Sequence, residues 1–362
     1  MGRFYSIAVA PGQTGASPAT TPGGLATVGG VSTGVTWTSV VNGVFDPNAL
    51  LVEFDFFSFS NASSGTDGST VTIHGIGFQN ITEANQFGGQ NVIVKAGMSG
   101  GLPLESPAQA GVILNGQIFQ SWANYVGTDM DLNFLVYPSK FTYEGPGNFV
   151  LNWQAGTSLQ SALTTTLTTA YPNIGLIFNL SKSYILGRNV IHVCSTVHQL
   201  SDLITSTTAL PNFLGVTVST PVNNTIIVSD NLGTNTNPKQ ILFDDLVGQP
   251  TWVPGTGKPP SPTVLLTTVM RADIQIGSVI IMPQGAGMGG PGTVNISSSA
   301  VNPSLQNLKT AFQGQFIVTA IRQVGNSRGT GPTDWVTMFQ CTPTSITQII
   351  TPTAPIPVTS NG

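Results

Sequence analysis

The string Gly97-Met98-Ser99-Gly100-Gly101 matches G-x-S-x-G, the sharp turn that exposes a nucleophilic serine between a strand and a helix. The strand is present in the alternating run Asn91 to Ala96. The helix is not: Leu102-Pro103-Leu104-Glu105-Ser106-Pro107 carries two prolines that oppose one. A Gly-rich loop between strands is the expectation, with Ser99 as the nucleophile of an esterase only in an alternative reading. Gly287-Met288-Gly289-Gly290-Pro291-Gly292 spells G-x-G-x-x-G, yet Thr293 to Ser299 opens no amphipathic helix and no ribose-binding acid follows at the required distance. Gly257-Lys258 runs into Pro259 where a phosphate loop needs Ser or Thr. No cofactor is expected.

His192, Cys194 and His198 are the one cluster of metal-ligand residue types. Alternation along a strand places His192 and Cys194 on one face, but His198 begins the next element and a fourth ligand is missing. A small core with a histidine at its edge is expected, and no metal. The carboxylate pairs Glu53/Asp55, Asp129/Asp131 and Asp244/Asp245 would suit glycoside hydrolysis only if two of them faced each other across a cleft. Spacing alone leaves them as solvated strand faces or turns. Tryptophans 37, 122, 153, 252 and 335 are scattered singly, as core or interface anchors are. Sequons at Asn61, Asn80, Asn179, Asn223 and Asn295 are what a chain rich in Asn, Ser and Thr generates by chance. No catalytic, cofactor or metal residue is assigned.

Behind this scarcity of chemistry lies the composition. Only 7% of the 362 residues are charged, eleven Lys and Arg against fifteen Asp and Glu, with a net charge of -4. Soluble domains ordinarily carry about 25%. A surface of hydroxyls, amides and backbone offers few acids, bases or phosphate grips, and no basic field for nucleic acid. It suits permanent contact with other protein. The hydrophobic content of 40% is enough for two or three cores. Tyr5, Ser6, Pro11 and Gly12 interrupt any secretion signal, and no apolar run reaches the roughly 18 residues of a membrane span. Cys194 and Cys341 sit far apart in apolar runs, as buried thiols do.

Periodicity divides the chain into β, α/β and β. Through residue 155, short alternating runs are separated by Gly, Asn, Asp and Pro: Val52, Phe54 and Phe56 oppose Glu53 and Asp55, Val71 and Ile73 oppose Thr70, Thr72 and His74, and Leu132, Phe134 and Val136 follow the same rule. Pro11 to Gly34 has no period and reads as a long loop or arm. At Gly156 the period changes. Leu159, Ala162, Leu163, Thr166, Leu167 and Ala170 form one helical face, capped by Ser158 and stopped by Tyr171-Pro172. Strands at Gly175 to Leu180 and Asn189 to Cys194, a helix from Thr196 to about Thr205, and strands at Val216 to Ser219 and Thr225 to Ser229 complete a small α/β unit. Strands return at Ile241 to Leu246, Thr263 to Met270, Ser278 to Met282, Gln315 to Arg322 and Trp335 to Thr342, ahead of an uncharged Pro/Thr-rich tail.

Three stretches carry a resemblance. Ala110 to Ala123, an apolar run with central Gly116, followed by Asp131 to Val136, looks like a pair of barrel strands; the helix Leu159 to Ala170 with the strand, helix and strand units after it looks like a small inserted domain; and Phe243 to Trp252, Arg271 to Pro283, Gln315 to Asn326 and Asp334 to Phe339 look like a final β-barrel. In this order they resemble the central baseplate hub proteins of contractile-tail bacteriophages, trimeric connectors between tail tube and spike.

The resemblance implies a mainly β fold with a small α/β insertion: two tail-tube-like β-barrel domains, 1–155 and 236–342, flanking a small mixed domain, 156–235, with an extended tail at 343–362. It implies a structural virion protein and no enzyme, whose homotrimer would present six similar surfaces to a sixfold tube. The implied partners are further copies of itself, the tail tube protein, the central spike protein and baseplate wedge or sheath-initiating proteins. DNA would pass through the channel without specific binding, no membrane would be involved, and assembly would take place in the host cytoplasm. A β-rich adhesin or carbohydrate-binding protein and a cell-wall hydrolase are the alternatives.

Overall fold

The computed structural model describes residues 3–10, 27–28, 31–32, 34–60, 68–78, 82–98, 106, 108–137, 148–172, 174–210, 213, 215–220, 225–230, 238–253, 263–283 and 315–343. The chain is mainly β. The first third supplies β1 (Arg3–Ala10), β2 (Val35–Thr38), β3 (Leu51–Phe59), β4 (Ser69–His74), β5 (Asn91–Met98), β6 (Gly111–Val126) and β7 (Asp129–Tyr137). The middle supplies β8 (Phe149–Trp153), α1 (Leu159–Ala170), β9 (Gly175–Asn179), β10 (Val190–Cys194), α2 (Val197–Thr208), β11 (Thr217–Ser219) and β12 (Thr225–Ser229). The last part supplies β13 (Lys239–Gln240), β14 (Thr251–Val253), β15 (Thr263–Val269), β16 (Val279–Ile281), β17 (Gln315–Asn326) and β18 (Trp335–Pro343).

Thirteen of these strands form one sheet in the order β14-β15-β18-β17-β3-β4-β7-β6-β5-β1-β2, with β16 paired to β17 and β13 to β16. Alternation decides which face of each strand turns inward. Tyr5, Ile7 and Val9 of β1, Val52, Phe54 and Phe56 of β3, and Leu132, Phe134 and Val136 of β7 meet in one core. A second core, from Ile241 to Cys341, lies beneath β15 to β18. The run Ala110 to Ala123 leads into and fills most of the sixteen-residue strand β6, which turns at Gly127 and pairs antiparallel with β7 as expected. Gly116 is needed inside the strand because a Cβ there would collide with the Tyr137 carbonyl.

Strand β17 joins the two cores. Its first residues, Gln315 to Ile317, pair with β16, while Ala320 to Asn326 pair with Phe59 to Glu53 of β3. A bulge between Val318 and Ala320, where β17 runs beside β18, separates the two halves. Further along, Trp335 leaves the second unit to pack in the first core. Its ring lies edge-on to Phe54 at 5.2 Å, and its indole N–H donates to the Gly97 carbonyl at 3.0 Å. Gly325, between Phe54 and Trp335 in register, has no side chain because the Phe54 ring occupies the space.

The expected strand over Ile241 to Leu246 is corrected. After β13 the chain makes a 3-10 turn at Phe243–Asp245, because the Asp245 carboxylate turns back to accept the Leu242 N–H at 3.0 Å.

The α/β unit has its own core. Leu159, Ala162, Leu163 and Leu167 of α1 pack with Leu200 and Ile204 of α2, against Leu151 and Trp153 on one side and Val218, Ile226 and Val228 on the other. Both helices begin where a hydroxyl accepts a first-turn amide, Ser158 from Ser161 and Thr196 from Gln199, each at 3.2 Å. On the outer face of α1, Thr164, Thr165, Thr168 and Thr169 spend their hydroxyls on carbonyls four residues back. Asp230, 1% exposed, anchors the exit from this unit just after β12: one of its oxygens accepts from Ser181 N at 2.7 Å, Ser181 Oγ at 2.6 Å and the Tyr184 hydroxyl at 3.0 Å.

Burial pushes the phenols of Tyr5 and Tyr171 up to about 12. An unfolded chain releases such protons near pH 10, so the stability these groups contribute is complete below about pH 10 and disappears as pH rises through about 12. Tyr5 also donates to the Leu50 carbonyl at 2.5 Å. Tyr5→Phe is expected to cost about 1 kcal/mol at pH 7 and to soften the alkaline decline in urea midpoints measured from pH 8 to 11.5. An equally steep decline in the variant would contradict this.

Candidate functional site

The residues with chemical potential in the sequence are not gathered into a centre. Gly97 and Met98 end β5 as the strand before the elbow requires, whereas Ser99 to Gly101 lie outside the described residues, as do Gly257-Lys258 and Gly287 to Gly292. Cys194 is buried in the α/β core and burial raises its pKa, while His192, two positions earlier on the same strand face, is exposed. The β8–β10 ribbon is only two strands wide, and its register pair Leu151 and His192 divides between a buried β8 side and an open β10 edge. His198 sits on α2 with Nδ1 shielded and without a hydrogen-bond partner. Among the described residues no three His, Cys, Asp or Glu side chains stand close enough to hold a metal ion.

The carboxylates, by contrast, are engaged. Reading across the outward face of the sheet from β17 through β3 and β4 to β7, the side chains form a polar ladder. Arg322 grips Asp55 with two bonds of 2.9 and 2.7 Å, its guanidinium 5.0 Å above the Phe57 ring, and the bond to Asp55 raises the arginine pKa. Asn326 Nδ2 donates to Glu53 at 2.6 Å, and Thr72 donates to Asn133 Oδ1 at 2.8 Å. His74 Nδ1 lies 2.8 Å from Asp131, and its Nε2 faces Glu53 at 3.7 Å, shielded but unbonded. Trp122 of β6, opposite Asn133, closes the ladder with 38% of its surface exposed. Asp129 stays exposed at the β6–β7 turn. Most of these groups are spent on one another across the outward face, which fixes four strands in register. A pair of acids facing across a cleft, as glycoside hydrolysis needs, does not arise from Glu53, Asp55 and Asp131 here.

A second polar node is buried. Arg271 donates through Nη1 to Asp245 at 2.8 Å and through Nε and Nη2 to Asp273, each at 2.9 Å. Gln109, from the segment entering β6, donates to Asp245 at 3.0 Å, and its carbonyl accepts the Ala272 N–H at 2.8 Å. The Arg271 backbone N–H donates to Thr337 Oγ1 at 2.9 Å and its carbonyl accepts from Gln323 at 3.2 Å. The guanidinium holds Asp245 and Asp273 in place, Gln109 joins the first β unit to the node through Asp245 and Ala272, and the Arg271 backbone fastens it to β17 and β18. Of the pair Asp244/Asp245, only Asp245 takes part; Asp244 is exposed. The Arg271-Ala272-Asp273 spacing was visible in the sequence, but nothing there pointed to Asp245 or Gln109.

No protein-family model matches the chain, and no curated protein matches it in sequence. Solved structures are similar in backbone course. A tail protein from Neisseria meningitidis MC58 aligns at a TM-score of 0.47 and 11% identity over 96% of this chain and 98% of that one. The 43 kDa tail protein of prophage MuSo2 from Shewanella oneidensis aligns at 0.44 and 7% over 82% and 98%. The E. coli c3393 protein, described as a type VI secretion component with structural similarity to the T4 bacteriophage tail proteins gp27 and gp5, aligns at 0.45 and 9% over 81% and 74%.

Removing one member of a buried ion pair leaves the other charge without compensation, at a cost of about 3–5 kcal/mol. Arg271→Met, which strands Asp245 and Asp273, is expected to lose that much in chemical denaturation. Asp55→Ala, which breaks the half-exposed Arg322 pair, is expected to cost about 1 kcal/mol or less. Equal losses from the two substitutions would refute the distinction between node and ladder.

Proposed function

We propose that this chain is a structural subunit of a phage-type tail baseplate, acting by assembly. In this reading three copies close a ring around a channel. One face of the ring receives the tail tube and the other the central spike, with wedge or sheath-initiating proteins around it, and DNA passes through. The observation that carries it is the fusion of two β cores, one at each end of the chain, into one thirteen-stranded sheet through β17. A subunit that must hold two β units at a fixed angle needs such a rigid join, and three copies then offer six units to a sixfold tube.

The scarcity of charge supports the same reading. Each Lys or Arg that contacts phosphate adds affinity and salt dependence, so a channel for moving DNA works best with few of them, and the whole chain has eleven. Obligate interfaces, for their part, resemble a core cut in half. A surface dominated by hydroxyls, amides and single apolar side chains is inexpensive to desolvate there.

Analytical ultracentrifugation at micromolar concentration is expected to give a species of three times the 37.7 kDa chain mass alone, or a complex holding three chains when the spike protein is present. A monomer under both conditions would overturn the proposal. Ser99→Ala is expected to leave assembly of infectious particles and any hydrolytic activity unchanged; loss of hydrolysis would favour the esterase instead.

A further inference from the structure

We infer that β6 of one copy pairs edge to edge with β14 of the next, a contact that rests on the ring reading above and names the strands that close it. The two β units are one module repeated. In the first, Ile118 pairs with Val136 and Gln120 with Leu135; in the second, Val318 pairs with Cys341 and Ala320 with Gln340, with a bulge between the two positions in both. Beside each bulge stands a left-handed glycine, Gly89 at φ 78° and Gly277 at φ 79°. Gly89 donates its N–H to the Ile118 carbonyl at 2.7 Å, and Gly277 to the Val318 carbonyl at 2.9 Å. Rows across the strands match as well. Gln120, Leu135, Thr70 and Asp55 lie side by side on β6, β7, β4 and β3, as Ala320, Gln340, Leu265 and Thr251 do on β17, β18, β15 and β14.

Inside the chain the second module already meets the first in one way. The part of β17 beyond its bulge pairs with β3, Arg322 opposite Phe57, Gln323 opposite Phe56 and Val324 opposite Asp55. By the repeat, the same part of β6 is Trp122, Ala123 and Asn124, and the equivalent of Asp55 to Phe57 is Thr251 to Val253. Among the described residues these two edges lack such a partner: Gln120 to Val126 pair with β7 alone, and β14 ends the sheet beside β15. Exposure shows the missing cover. Tyr125 is 62% and Val126 74% exposed, whereas their counterparts Gly325 and Asn326 are buried and half-buried.

Repeating the internal joint between copies sets Trp122 opposite Val253, Ala123 opposite Trp252 and Asn124 opposite Thr251 of the next copy. First and second units then alternate around the ring, and the contact, being head-to-tail, closes it. Backbone groups on the open edges supply the bonds. Ser60 donates to the Thr319 carbonyl at 2.7 Å and Ser327 to the Val52 carbonyl at 2.9 Å, so the odd-numbered residues here turn their backbone groups toward β3. The repeat turns those of Ser121, Ala123 and Tyr125 outward. Trp122, 38% exposed, stands where Arg322 lies over the Phe57 ring, and meets Val253 with an apolar contact in place of the cationic one.

The test uses the full chain. Full-length Asn124→Cys and Thr251→Cys variants are mixed under the conditions in which the natural chain trimerises and treated with a mild oxidant; Cys194 and Cys341 are buried and do not compete. A disulfide between the two variants is expected, because directly opposed residues of antiparallel strands bring their Cα atoms to about 5 Å, within reach of that bond. Neither variant is expected to form it alone. Ala123→Pro removes an outward amide while leaving the bonds to β7, and is expected to weaken self-association by about tenfold or more. A thermal melt checks that it folds. A trimeric natural protein whose mixed variants give no disulfide, or whose folded Ala123→Pro variant assembles equally well, overturns the edge pairing and leaves the ring standing. A natural protein that stays monomeric, alone and with the spike protein, overturns both.

Discussion

Strand β17 must serve two β cores at once within one sheet, and the rest of the architecture follows from that demand. Backbone amides and carbonyls buried between strands have to be paired along their whole length, so a strand shared by two units prevents either from rotating without breaking a ladder. The bulge after Val318 lets the strand change direction between partners β16 and β3. Trp335 and the Arg271 node then reinforce the same seam, one by apolar packing and the other by charge.

Those reinforcements differ in kind. Trp335 contributes through area removed from water and through its bond to Gly97. The Arg271 node is exacting rather than strongly stabilising: a buried guanidinium is tolerated only where carboxylates and carbonyls meet it in a fixed geometry. Its partners come from the segment entering β6, the 3-10 turn after β13 and the exit from β15, so one misplaced segment exposes the cost of the whole group. The outward ladder follows a looser version of the same rule, with half-exposed pairs that contribute less each and mainly fix register.

Much of the architecture was visible in the order of residues. Period-two alternation identified the inward faces of β3, β4 and β7, and the change of period at Gly156 located α1 together with its Ser158 cap. The 3-10 turn at Phe243–Asp245 was hidden, because Ile241 to Leu246 contains enough apolar residues to pass for a strand and only the return of the Asp245 carboxylate bends it. His192 and Cys194 share a strand face as alternation requires, yet they differ completely in burial, since the width of the ribbon and the position of the helices over it are not local properties.

The sequence by itself determined which residues face inward, where helices begin, and that charge would be scarce, because side-chain direction follows backbone period and capping acts over three or four residues. Only the tertiary structure decided which strands became neighbours and which polar groups found each other. Asp245 and Arg271 are 26 positions apart, Arg322 and Asp55 267, and Trp335 and Gly97 238. Alternation assigns a residue to a face but is silent about the partner across from it, and that choice rests on how all the cores pack together.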